Sequence, residues 1–274
     1  MITFSKIGKF GRLGNQLFQF ASTFGIARKM GYEVKFPSEN MFSPSIEDFK
    51  DGIRREVTFD IPKCFNVPED LLCPIDEIRK HVEWGIQEPH FHFSDIMFDI
   101  PDNMDLIGYY QTDKYFSHCE EELRKVLTFR NDLNVDKFFL DQNTVSIHVR
   151  VGDYAGLQEF HPVCEPDYYE SALNHFLDKD YLFVIFSDDI NYAHEIFGDQ
   201  GNIKYADPDT DFNHLQLMSL CKHNIIANSS FSWWGAWLNK NPEKRVIAPQ
   251  KWFGPAYDGV HNTKDLYCEG WIKE

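Results

Sequence analysis

Apolar and polar positions alternate most regularly over residues 144–151, where Val145, Ile147, Val149 and Val151 interleave with Ser146, His148 and Arg150. A period of two predicts a strand over 144–150. Strands of an open α/β sheet are normally apolar on both faces, so a polar face carrying Ser, His and Arg needs a reason. Gly152, Asp153 and Tyr154 follow as turn residues and end the strand at Arg150. Beyond it, strand and helix patterns take turns. Pro166 and Asp167 open a helix running to about 177, and 181–186 reads as a strand ending in Ser187, Asp188 and Asp189. A helix over 190–197, a strand at 203–205, a helix from about 212 to 222 and a strand at 224–227 come next. A helix opened by Asn228, Ser229, Ser230 and Phe231 and a last strand at 245–248 complete the series. Such alternation predicts a parallel, doubly wound α/β domain.

The first half is less regular. Residues 2–7 suggest a strand, and a loop containing Gly11 and Gly14 feeds a helix whose apolar face is Leu17, Phe20, Phe24 and Ala27, with Gly31 at its end. A strand at 32–36 completes a βαβ-like start. From 37 to about 103 no period is sustained, and loops with short helices are expected. Residues 104–110 read as a strand, after which Thr112 and Asp113 cap a helix to about 127. Tyr109, Tyr110, Tyr115 and Phe116 suit a sugar-stacking surface and a core equally well.

Charge narrows the choice of partner. The 274 residues include 43 acidic and 27 basic side chains, a formal net charge of -16, which argues against nucleic acid or an anionic membrane surface. Any anionic ligand therefore needs a local positive site. No run of about 18 apolar residues is present, so no transmembrane segment is expected. The N-terminus lacks the apolar core of a signal peptide, which makes a cytoplasmic protein the expectation. Cys64, Cys73, Cys119, Cys164, Cys221 and Cys268 show no C-x-x-C spacing and read as free thiols. His90 and His92 have no further metal ligands at suitable spacing.

The candidate chemistry gathers at predicted strand ends, where ligands of open α/β sheets bind. Arg150 offers a planar fork of donors suited to phosphate. Asp188 and Asp189 stand at the mouth of an apolar strand; a carboxylate there can accept from a guanine edge, while Asp189 equally suits the N-cap of the next helix. Ser229, Ser230 and Phe231 put hydroxyls and backbone amides at a helix start, which fits a diphosphate. Gly11 and Gly14 let the first loop approach an anion closely. Asp207, Asp209 and Asp211 form overlapping DxD spacings of the kind that hold a divalent cation on a donor diphosphate, or else a loop with Asp211 as helix cap.

Four blocks extend the reading: GRLGNQLFQFA at 11–21, HVRVGDY at 148–154, FSDD at 186–189 and MSLCKHNIIANSSFSWWGAWLN at 218–239. Together, and in this order, they resemble the alpha-1,2-fucosyltransferases of glycosyltransferase family 11. The resemblance covers most of the chain and covers 37–103 poorly. It implies a GT-B architecture, two Rossmann-like domains facing across a cleft. Residues 1–140 would form the acceptor-side domain, 141–250 the GDP-sugar domain, and 251–274 a tail packing back on the first. The implied reaction is inverting transfer of fucose from GDP-fucose, without a required metal or other cofactor, to an oligosaccharide or glycolipid acceptor, with O2 of a terminal galactose as the expected hydroxyl. The resemblance implies that Arg150 contacts the diphosphate, His148 lies beside the nucleotide, and Asp188 or Asp189 reads guanine. Ser229, Ser230 and Phe231 would hold phosphates, Asn228 would belong to the same donor site, and Gly11, Asn15 and Gln16 would close on the donor. Asp153, with Glu159, His161 and Glu165, stands where a general base is expected by position. A binding protein without turnover, and a metal-dependent transferase using Asp209 and Asp211, are the competing expectations.

Overall fold

A computed structural model describes the chain apart from residues 39–45, 49–53, 57, 132, 134, 136–142 and 208–209, with 46–48 and 54–56 described by backbone alone. The chain divides into two compact units. One comprises Met1–Asn131 with His261–Cys268, the other Asp132–Val260 with Glu269–Glu274.

In the first unit, β1 (Ile2–Thr3) leads through a loop into α1 (Leu13–Met30) and back into β2 (Val34–Pro37). A short antiparallel pair, β3 (Ile46–Asp48) and β4 (Arg54–Glu56), precedes α2 (Ile61–Cys64), β5 (Leu72–Cys73), α3 (Ile75–His81), β6 (Trp84–Gln87), β7 (Met104–Ile107) and α4 (Glu120–Val126). The sheet order is β5-β2-β1-β7-β6, with every pairing parallel. Two of these strands, β5 and β6, fall where loops and short helices were predicted. Two to four residues are too few to show a period, and β6 is an edge strand whose Trp84 is 71% exposed.

The helix α1 is buried far more completely than its predicted apolar face requires. Gln16, Gln19, Ser22 and Thr23 are buried beside Leu17, Phe20 and Phe24. Buried polar groups need partners. Gln19 Nε2 donates to Phe10 O at 3.0 Å, Ser22 Oγ to Tyr110 O at 3.1 Å and Thr23 Oγ1 to Gln19 O at 2.6 Å. The helix ends as expected at Gly31, in the left-handed region at φ 69°.

The second unit contains β8 (Thr144–Val149), α5 (Pro166–Leu173), β9 (Leu182–Ser187), α6 (Ile190–Phe197), β10 (Ile203–Tyr205), α7 (Asp211–Leu220), β11 (His223–Ile225), α8 (Ser230–Leu238), β12 (Val246–Ala248) and β13 (Ile272–Lys273). Its parallel sheet runs β10-β9-β8-β11-β12-β13. Counted within the unit this is 3-2-1-4-5-6, the strand order of a dinucleotide-binding Rossmann domain. Val145, Ile147 and Val149 pack with Tyr169, Ala172, Ala193 and Phe197 on one face. The last strand, β13, was not predicted from sequence; Ile272 and Lys273 gain strand character only by pairing with Ile247 and Ala248. The cap of α7 is Thr210, whose hydroxyl accepts from Asn213 N at 3.3 Å, and not the expected Asp211, which is the first helical residue.

The polar face of β8 is partly a structural network. Asn224 on β11 pairs in register with Ser146; its Nδ2 donates to Ser146 Oγ at 2.7 Å and to Met218 O at 3.0 Å, while its Oδ1 accepts from Asn239 at 2.8 Å. Each buried amide and hydroxyl is thereby satisfied, which a buried polar group requires if it is not to destabilise the fold.

Gly25 sets a sharp constraint on the first unit. A methyl group there would lie 2.1 Å from Tyr115 O and 2.7 Å from Phe116 Cα, both backbone atoms. Alanine in a helix interior normally gains about 1 kcal/mol over glycine, but overpacking against backbone costs about 1–3 kcal/mol or more. Gly25→Ala is expected to lower Tm in a thermal melt; a raised Tm would show that the 115–116 segment yields freely.

Candidate functional site

The strand order of the second unit reverses between β8 and β11, and ligands of such sheets bind beyond the carboxyl ends at that point. Arg150 is the first residue past β8. Its guanidinium forms ion pairs with Asp153 and with Asp188, and lies 5.0 Å from the centre of the Tyr154 ring. Asp188, just past β9, also accepts from Val151 N at 2.8 Å. One carboxylate thus fixes both the side chain and the backbone that follows it. Gly152 sits against this brace: a Cβ there would fall 2.5 Å from Asp188 Oδ2, and its φ of +23° suits glycine. Across the switch point, Tyr154 Oη donates to Asn228 O at 3.2 Å. The arrangement presents a held guanidinium, with one donor committed to each carboxylate.

His148 points its ring toward the same helix start, 5.8 Å from Phe231 between ring centres. It is 7% exposed, and Nδ1 has no hydrogen-bond partner among the described residues. Burial, then the charge of Arg150, then that of His214, pull its pKa down to about 3, so it is neutral at physiological pH. A buried neutral imidazole with an unmatched nitrogen is suited to one hydrogen bond with a ligand. Ser229 occupies the N-cap position of α8 without a side-chain capping bond, and neither α8 nor α1 carries an acidic residue in its first turn. The partial positive charge of these helix starts is therefore not neutralised locally by first-turn carboxylates.

The structure distributes the remaining expected residues unequally. Asn228 directs its amide to Pro162 O at 2.8 Å and Trp252 O at 3.0 Å, and so anchors the β11–α8 loop from within. Asp189 caps α6 by accepting from Tyr192 N at 3.1 Å. The two carboxylates of the Asp188–Asp189 pair are thus given internal duties. Asp153 is brought onto Arg150. His161 stacks on Tyr154 at 5.1 Å.

In the first unit, Gly11 lies against Asn15, and Asn15 Oδ1 accepts from Gln111 Nε2 at 2.9 Å. Gln16 is 1% exposed and binds internally: Nε2 donates to Thr58 O at 2.9 Å and Oε1 accepts from Asp60 N at 2.8 Å. Sequence reasoning missed Glu88, at the end of β6, which accepts from Tyr109 N at 2.7 Å and Tyr110 N at 2.9 Å. Burial pushes its pKa up to about 7 against the pull of those two amides. No periodicity or motif marks Glu88; only the pairing of β6 with β7 brings it there. Among the described residues no group of three or more His, Cys, Asp and Glu is placed to hold a metal ion. Asp209, half of the expected DxD pair, lies outside the described residues.

The lowered pKa of His148 links stability to pH. A histidine neutral in the folded state and free to charge when unfolded leaves stability intact above about 6.5 and removes it as pH falls toward the folded value. His148→Phe is expected to lose less stability than the parent between pH 6.5 and 5, the slopes differing by up to about 1.4 kcal/mol per pH unit. Urea melts at a series of pH values measure this, and parallel slopes would place a charged, solvated His148 in the folded state.

The family profile and the sequence relatives show the family, and the solved structures show the fold. The profile of Glycosyl transferase family 11 matches residues 3–274. The chain is 30% identical to the alpha-1,2-colitosyltransferase of Escherichia coli over 286 residues, covering 96% of each. It is also 30% identical to the O-antigen biosynthesis glycosyltransferase WbnK of Escherichia coli over 305 residues, with 96% of this chain and 97% of that protein covered. Galactoside alpha-(1,2)-fucosyltransferase 1 of Bos taurus is 23% identical over 253 residues, covering 83% of this chain and 64% of that one. Two solved structures share the fold. NodZ alpha-1,6-fucosyltransferase soaked with GDP-fucose gives a TM-score of 0.52 at 15% identity, covering 91% of this chain and 94% of that one. A mutant of Arabidopsis thaliana FUT1 in complex with GDP gives 0.54 at 13% identity, covering 90% and 69%. With its parallel α/β units and a match spanning nearly every residue, the chain belongs to glycosyl transferase family 11 and is a glycosyltransferase.

Proposed function

We propose that the protein transfers L-fucose from GDP-β-L-fucose to O2 of a terminal galactose on an oligosaccharide or lipid-linked glycan, with inversion and without a bound metal. The carrying observation is the braced Arg150 at the carboxyl end of β8, the strand at the switch point of a Rossmann-type sheet. Departure of GDP places growing charge on a phosphate oxygen. A guanidinium already held in one orientation, together with amides at a helix start, meets that charge with little reorganisation. Asp153 and Asp188 serve this step by fixing Arg150. His148, neutral and unmatched at Nδ1, supplies one hydrogen bond to the nucleotide. Phe231 closes the apolar side, and Ser229 and Ser230 lie at the phosphate end. Asn228 supports that loop from behind, and Asp189 holds the helix next to it.

The names of the related proteins support a galactoside as acceptor and fucose as donor sugar, and one names colitose instead. A transfer assay offering fucosyl and colitosyl donors to a β-galactoside therefore tests the donor directly. Product formed from GDP-fucose in the presence of a chelator is the expected result. Saturable GDP-fucose binding without transfer would return the protein to a binding role, and activity abolished by the chelator would favour the DxD segment.

Arg150→Ala is expected to lower turnover at least about 10²-fold, the usual loss on removing one preorganised donor to developing charge. Steady-state assays with GDP-fucose, alongside melts showing that the variant is folded, measure it. Near-parental turnover would remove Arg150 from the mechanism. GDP is expected to raise the Tm of the parent, since a ligand bound only to the folded state stabilises by mass action, and UDP is not.

A further inference from the structure

The sheet of the first unit also changes direction beside β1, with β2 on one side and β7 on the other. The loops beyond β1 and β7 are tied together there. Asp105 on β7 accepts from Ser5 N at 2.7 Å, and Gln111 donates to Asn15 at 2.9 Å. By the same rule of open sheets, this is where a ligand of the first unit belongs.

The segment that follows β7 is bent in an unusual way. Gly108 has φ +151° and Tyr110, a bulky residue, has φ +54°. A left-handed tyrosine persists only where its surroundings over-determine it, and such sites cluster where ligands bind. Here they do. Glu88 takes the amides of both Tyr109 and Tyr110, Gln19 donates to Gly108 O at 3.3 Å and Ser22 to Tyr110 O at 3.1 Å. The Tyr110 ring is buried against Phe4 and Tyr115. Tyr109 is 43% exposed. Of the four aromatics that the sequence left open between core and sugar surface, Tyr110, Tyr115 and Phe116 are core. The bend keeps Tyr109 out of it.

We propose that the Tyr109 ring is the platform on which the acceptor's terminal hexose stacks, and that Glu88 is the positioning residue that holds the platform by binding the two amides. Galactose, whose C–H groups at carbons 3, 4 and 5 share one face, matches an aromatic ring in this way. The inference rests on the glycosyl-transfer reading for the identity of its ligand, and is tested by direct binding of that ligand.

Saturation-transfer NMR and titration with a β-galactoside disaccharide provide the test. Tyr109→Ala is expected to weaken galactoside binding and raise the acceptor KM about tenfold, with the donor KM changed less than about twofold. Tyr109→Phe, which keeps the ring, is expected to stay within about twofold on both. Glu88→Gln retains only one carbonyl acceptor for two amides, and is expected to raise the acceptor KM selectively. Galactoside binding unchanged in Tyr109→Ala, or absent from the parent, overturns the inference. Equal loss of donor and acceptor affinity in Glu88→Gln overturns the positioning role. Parental protein that binds galactoside through Tyr109 yet transfers no fucose would remove the proposed function and leave this inference standing.

Discussion

The ion pairing of Arg150 with Asp153 and Asp188 organises the second unit around its ligand end. Three separate stretches meet in it: the end of β8, the turn that follows, and the end of β9. The Arg150 side chain is 14% exposed, so its charge is partly desolvated and would be unfavourable without close partners. The same two carboxylates that stabilise it also restrict it to one orientation. A flexible surface arginine must be ordered at the moment any ligand arrives. Here that ordering is done during folding.

The polar face of β8 shows how one strand combines stability and chemistry. Ser146, deepest in the sheet, is consumed by the Asn224 network and reaches no ligand. His148, one step nearer the carboxyl end, keeps a nitrogen unmatched while its backbone carbonyl is held by Tyr169 at 3.1 Å. Arg150, one step further, lies beyond the pairing and meets its partners from two loops. Of Ser146, His148 and Arg150, His148 is the one that keeps a buried atom without a partner among the described residues. A buried group without a partner lowers stability, so the sheet confines it to the end where a ligand can supply the bond.

Both units place their irregular features beyond the carboxyl ends of parallel strands. In the second unit these are a positively charged fork and an acid-free helix start. In the first they are a carboxylate of raised pKa, a left-handed tyrosine and an exposed ring. The two sets suit different ligand chemistry. An anion is met by donors and dipoles, whereas a neutral sugar offers hydroxyls and an apolar face for stacking.

The alternation of residues 144–151 and the spacing of the elements after it determined the second unit almost strand by strand, because elements with clear periods and turn residues carry their own signal. The helix at 190–197 and the strand at 203–205 stand where the pattern put them. Short strands carry no such signal: β5, β6 and β13 exist through their neighbours' hydrogen bonds. The sequence likewise singled out Arg150, His148 and the 228–231 segment, since strand ends and helix starts are legible from local pattern. It left Asp153, Asp188 and Asp189 with several possible roles, and it gave no sign of Glu88. Which carboxylate braces a guanidinium, which caps a helix and which bends a turn depends on residues distant in the chain being brought within about 3 Å. Hydrogen bonding acts over that range and no further, so only the packed tertiary structure could decide it.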